Sequence, residues 1–193
     1  DLVPINGYQP FKLQLKKDIE QTYYVLGRRA LSITDENRYK LLMANTVLGA
    51  GMSSRLHQNI REQHGYCYAI STINQAFEDS GIFGVYAGTD RNYVDHLREL
   101  IEHELNQLRQ ELIPEEEFND AKQQLKGTLI LSQESTSNRM MRLGKSELYF
   151  KRWISLDELA EQIEAVTRED VLEFSQEFFQ PDQYSEARLL PAS

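Results

Sequence analysis

Residues 48–90 read LGAGMSSRLHQNIREQHGYCYAISTINQAFEDSGIFGVYAGTD and constrain the fold more than any other segment. A helix runs into a glycine-rich turn at Gly49 and Gly51, and a short polar helix follows with Leu56 and Ile60 turned inward. Gly65 ends that helix and opens a strand in which Tyr68, Ile70 and Thr72 alternate with Cys67, Ala69 and Ser71. Glu78 to Gly81 supplies a turn, and Ile82 to Thr89 forms a second strand. That strand is nearly apolar throughout, which predicts a central place in its sheet.

The flanks complete the order. Residues 1–18 read as a linker that feeds the first strand, a β-rich run over about 20–31. Thr34 is placed to cap the helix that Gly49 stops. After Asp90 the spacing is helical: Val94, Leu97, Ile101, Leu105, Leu108 and Leu112 fall at steps of three or four. Pro114 opens a helix with Glu115 to Glu117 at its positive end, followed by a helix carrying Met140, Leu143 and Leu148. Ser155 with Glu158 predicts a capping box, Thr167 caps the last helix, and Tyr184 to Leu190 is a last strand. Strands and helices are segregated rather than alternating. This predicts an α+β fold with a largely antiparallel sheet and helices packed on one face, all 193 residues forming a single domain.

Charge and cysteine usage narrow the function. Thirty acidic against 21 basic side chains give a net charge of −9, which repels phosphate backbones and argues against a nucleic-acid partner. The basic pairs Lys16-Lys17, Arg28-Arg29 and Lys151-Arg152 read as solvated surface. No run of ~20 apolar residues predicts a membrane span. A soluble protein is expected, cytoplasmic or periplasmic if bacterial. The one cysteine, Cys67, cannot form an internal disulfide and reads as a small buried hydrophobe. The chain starts at Asp1 and shows no signal peptide, so removal of an upstream segment is an open expectation.

Catalytic motifs are scarce. His96, Glu99 and His103 share a helix face, but two turns separate the histidines by about 10 Å, too far to chelate one zinc readily. His57 and His64 meet the same objection. No G-x-S-x-G elbow and no P-loop is present. Arg61 and Tyr68 remain, seven residues apart across the corner at Gly65, where a cation and a phenol can be aimed at one spot. Read alone, they are better explained as an exposed arginine and a core tyrosine.

Four segments together resemble one homologous half of the zinc peptidases related to pitrilysin, insulin-degrading enzyme and mitochondrial processing peptidase. They are LGAGMSSRLHQNIREQHGYCYAI, GIFGVYAGTD, PEEEFNDAKQQLKGTLILSQESTSNRMMRLGKSELYF and SLDELAEQIEAVTREDV, in the family's order over 34–171. The resemblance implies a two-half clam. One half carries H-x-x-E-H with zinc and a glutamate base; the other lends an arginine and a tyrosine to the substrate. Those positions are Arg61 and Tyr68 here, and the helix that would hold the zinc motif has Tyr39, Leu42 and Met43 instead. The resemblance therefore implies the second half, binding no cofactor itself, with zinc in a catalytic partner half, fused or separate, and a peptide as substrate. This chain alone is expected to be inactive. The alternative it leaves is a structural subunit of the same fold, like the inactive core proteins of respiratory complexes. Tyr66 stands where the family commonly has leucine. Self-association is a further expectation, because a surface built for a sister half would be left open.

Overall fold

The computed structural model describes residues 7–192. The linker expected over 1–18 lies outside the described residues at 1–6, and over 12–17 it is corrected: Lys12–Lys17 is an edge strand, formed by pairing with residues 186–191 at the other end of the chain. Among the described residues five strands form one sheet, β1 Lys12–Lys17, β2 Thr22–Ala30, β3 Cys67–Ala76, β4 Gly81–Thr89 and β5 Ser185–Pro191, in the order β1-β5-β2-β4-β3. Only β1 and β5 run parallel; the other three pairings are antiparallel. Helices α1 Arg38–Gly49, α2 Val94–Gln110, α3 Glu115–Leu131, α4 Thr136–Lys145, α5 Leu156–Ala165 and α6 Arg168–Phe178 make up the second layer. This is the α+β architecture the segregated pattern predicts.

Strand alternation sets which side the helices cover. Tyr24 and Leu26 of β2 and Phe83, Val85 and Ala87 of β4 are buried and face the helices. Phe83 meets Phe178 and Phe179 edge-on, with ring centroids 6.0 and 5.3 Å apart. At the other end, α1 presses so close to β3 that a Cβ on Gly49 would collide with the Thr72 side chain. A residue larger than glycine there would force the helix off the sheet.

The opposite face explains why β4 reads as apolar throughout. β4 is interior, but the central strand is β2. Ile82, Gly84, Tyr86 and Gly88 alternate with the buried set and point away from the helices, with Ile82 exposed. Small and apolar residues on an uncovered face mimic the composition of a strand buried on both sides.

Three local expectations are corrected. Thr34 does not cap α1. The Asp35 carboxylate accepts the Asn37 backbone N–H at 2.8 Å, making an Asx turn that delays the helix to Arg38. Ser155 accepts the Glu158 N–H at 3.0 Å, but the Glu158 carboxylate is held by Arg152 at 2.8 Å, so that box is only half formed. Thr167 and Asp170 complete both halves of theirs. Arg28 is not solvated surface: it shares the helix side with Tyr24 and Leu26, and its guanidinium lies 4.1 Å from the Phe178 ring centroid. Burial pulls its pKa down.

Candidate functional site

Arg61 lies in a short wide-turned helical segment of π type, Leu56–Gln63, that leads into β3. The segment is pinned from two sides. Arg55 makes a two-pronged ion pair with Glu117 at the start of α3, both contacts 2.7 Å. Asn59 donates to the buried Glu104 carboxylate of α2 at 2.6 Å. Leu56 and Ile60 are fully buried beneath it. Arg61 therefore stands on the outer side of a fixed segment, and 45% of its side chain is exposed. Its neighbours are loose: His57 Nε2 at 3.4 Å and Glu62 at 3.9 Å. The charge is thus available to a ligand rather than consumed by a tight ion pair.

The corner between this segment and β3 is equally fixed. Gly65 takes φ +65°, the left-handed conformation in which a side chain is strained. The Tyr66 N–H bonds to the Ile60 carbonyl at 3.2 Å, and the Thr89 hydroxyl donates to the Tyr66 carbonyl. The Tyr66 ring stacks on Tyr93 with centroids 5.0 Å apart and also meets His64 and His96. This aromatic clasp was not expected. Its one sequence signal is the bulky residue at 66 beside aromatic and imidazole side chains that the fold brings in from 93 and 96.

Tyr68 is not the core residue that simple alternation predicts. A β-bulge between Cys67 and Ala69 leaves Tyr68 without a ladder partner: Cys67 pairs with Thr89 and Ala69 with Gly88. The extra residue shifts the phase of the strand, so Cys67 and Ile70 are buried while Tyr68 is 66% exposed. Bulges re-aim side chains in this way beside functional sites. Arg61 and Tyr68 thus flank one rigid corner, both open to solvent.

Cys67 sits between them. Burial pushes its thiol up to about 11, while the positive charge of Arg61 pulls the other way. The thiol is therefore protonated at neutral pH and is no nucleophile. Arg61→Gln removes the charge that favours the thiolate, so the Cys67 pKa is expected to rise further. The 13Cβ chemical shift of Cys67, the one cysteine, followed against pH checks this. An unchanged titration would place Arg61 too far from β3 to share a site with Tyr68.

The remaining candidates do not converge. His96 Nδ1 lies 3.7 Å from Glu99, both exposed, while His103 Nε2 faces Gln107 at 3.4 Å. His57 contacts Arg61 and Glu62, whereas His64 Nδ1 lies 2.6 Å from the Asn59 carbonyl. Among the described residues no three His, Cys, Asp or Glu side chains are grouped to hold a metal ion. Met43 on α1 is fully buried and offers no ligand. Among the same residues no helix is long and apolar enough to cross a membrane.

Residues 4–125 match the family described as the peptidase M16 inactive domain. The chain is 38% identical over 181 residues to the uncharacterized zinc protease YmxG of Bacillus subtilis, covering 94% of this chain and 44% of that protein. It is 38% identical over 152 residues to the uncharacterized zinc protease SCO5738 of Streptomyces coelicolor, covering 79% of this chain and 33% of that one. This chain thus spans less than half the length of either relative. Among solved structures, a peptidase M16 inactive domain from Pseudomonas fluorescens superposes with a TM-score of 0.86 at 19% identity, covering 96% of this chain and 44% of that one. A protease from Helicobacter pylori gives 0.84 at 21% identity, covering 93% and 44%.

Proposed function

Because this chain belongs to the peptidase M16 inactive-domain family, we propose that it is the substrate-binding, chamber-forming half of a zinc metalloendopeptidase, with residues 1–193 acting as one unit. The partner is a homologous half carrying H-x-x-E-H. The lengths of the relatives, of which this chain spans 44% and 33%, support a fused arrangement. Zinc belongs to that half, where it would supply the activated water; among the described residues of this chain no three ligating side chains are grouped to hold it, and their part is binding.

The observation that carries the reading is the corner itself. A guanidinium with only long contacts and a phenol turned outward by a bulge are presented on a segment locked by Arg55, Asn59 and Tyr66. Pre-aimed donors of this kind bind a peptide carbonyl oxygen and gain strength as negative charge develops on it. The acidic balance of the chain suits basic or unfolded peptides.

Reconstitution tests the reading. This chain alone is expected to cleave nothing, and adding a half that carries H-x-x-E-H is expected to produce peptide cleavage that neither part shows separately. A complex that assembles and cleaves no faster than the zinc-bearing half alone would make this chain a structural subunit instead.

A further inference from the structure

His57 and Arg61 stand four residues apart in the segment Leu56–Gln63, about one turn, so their side chains share a face. Burial separates them. The His57 side chain is 12% exposed and that of Arg61 45%. The imidazole is thus a packed group close to the backbone, and the guanidinium is the outer end of a long side chain with many rotamers. His57 Nε2 lies 3.4 Å from the Arg61 Nη1.

That contact places the ring proton. A guanidinium carries only donors, so Nε2 accepts from Arg61 and the proton sits on Nδ1. Nδ1 is sealed from solvent and has no hydrogen-bond partner among the described residues; the Glu62 carboxylate stands 3.8 Å from it. A buried polar atom left unpaired is destabilising, and an apolar side chain would fill this place without that penalty. Packing therefore does not account for a histidine at 57, whereas the acceptor it offers Arg61 does. The same Glu62 oxygen is 3.9 Å from Arg61 Nε, too far to neutralise the charge. A carboxylate at 57 would grip Arg61 harder and cancel what it has to offer. A neutral ring directs one N–H and leaves the charge intact.

We propose that His57 is a positioning residue for Arg61: its neutral imidazole accepts one guanidinium N–H and presets the fork that meets the peptide carbonyl. The role rests on the reading of Arg61 under the proposed function and adds the residue on which that arginine depends. A donor already aimed acts on the transition state without first being ordered.

The chain has its own continuous core, so the tautomer can be read on the 193-residue protein itself. Long-range proton–nitrogen correlation spectra at mildly alkaline pH are expected to show His57 protonated at Nδ1 and bare at Nε2. Arg61→Ala is expected to return the ring towards the Nε2–H form that a free side chain prefers. In the reconstituted peptidase, His57→Phe keeps a planar ring and removes the acceptor. It should lower kcat between about tenfold and a hundredfold, with KM nearly unchanged. His57→Gln, whose amide oxygen can stand where Nε2 stood, should restore most of the rate. In an Arg61→Gln background His57→Phe should bring no further loss, because the imidazole acts through the guanidinium alone. A histidine with a merely structural role would lower activity whichever residue stood at 61. A His57 protonated at Nε2 in the unaltered chain overturns the proposal, as does a His57→Phe loss that persists in full beside Arg61→Gln. If Arg61→Gln leaves kcat unchanged, the reading of the corner falls and this proposal with it. If Arg61→Gln is damaging and His57→Phe harmless, the proposal alone falls.

Discussion

Arg61→Gln and Tyr68→Phe are each expected to lower the kcat of the reconstituted peptidase by about 10²–10³-fold, equivalent to ~2.7–4 kcal/mol of lost transition-state stabilisation. The size follows from where the charge appears. A peptide carbonyl is neutral in the ground state and gains negative charge as water adds, so a fixed cation and a fixed hydroxyl act mainly on the transition state. KM should therefore move far less than kcat. The two substitutions together should cost less than their sum, because both groups serve one oxygen. Folding gives the control. Tyr68 is 66% exposed and Arg61 has only long side-chain contacts, so neither change should move the melting temperature by more than a degree or two. Unchanged kcat in both variants, or lost activity that tracks lost stability, would remove these residues from the site.

The segment over 48–90 was readable because each of its steps has a local cause. Gly65 ends a helix at +65°, and the turn before Gly81 joins two strands of opposite alternation. What the residues could not reveal was phase. Period-two counting from Tyr68 to Thr72 puts Tyr68 inward, and one unpaired residue reverses that without altering composition. A bulge is a property of the ladder, and Gly88, whose pairing with Ala69 leaves Tyr68 out, is nineteen residues beyond Ala69. The same limit hid the setting of Arg28, whose cation–π contact with Phe178 joins β2 to α6. It also hid the Tyr66 clasp, whose rings come from two separate stretches, 64–66 and 93–96. Residues 136–150 show the converse. Their helical spacing over Met140, Leu143 and Leu148 is real, but spacing marks an apolar stripe and not what lies beneath it.

The largest loss of stability is expected at Phe83, where alternation, packing and charge meet. Its side chain is fully buried, edge-on to Phe178 and Phe179, and Phe178 in turn stacks on Phe174 with centroids 4.9 Å apart. Phe83→Ala removes the ring that seats α6 on the sheet and leaves a cavity whose walls are themselves rigid rings. Collapse is therefore poor, and the cost should lie at the upper end of the ~3–5 kcal/mol range for such truncations. Domains are stable by only ~5–15 kcal/mol, so this one change removes a third or more of a typical total. Urea unfolding should show the midpoint falling with little change in slope, since the surface exposed on unfolding is nearly the same. The neighbouring Ile82→Ala is the internal comparison. One residue along the strand, the side chain points to the other face and is 48% exposed, so its loss in the monomer should cost under about 1 kcal/mol. A large penalty at 82 and a small one at 83 would mean that β4 runs in the opposite register, which would also reverse which face of the sheet is bare.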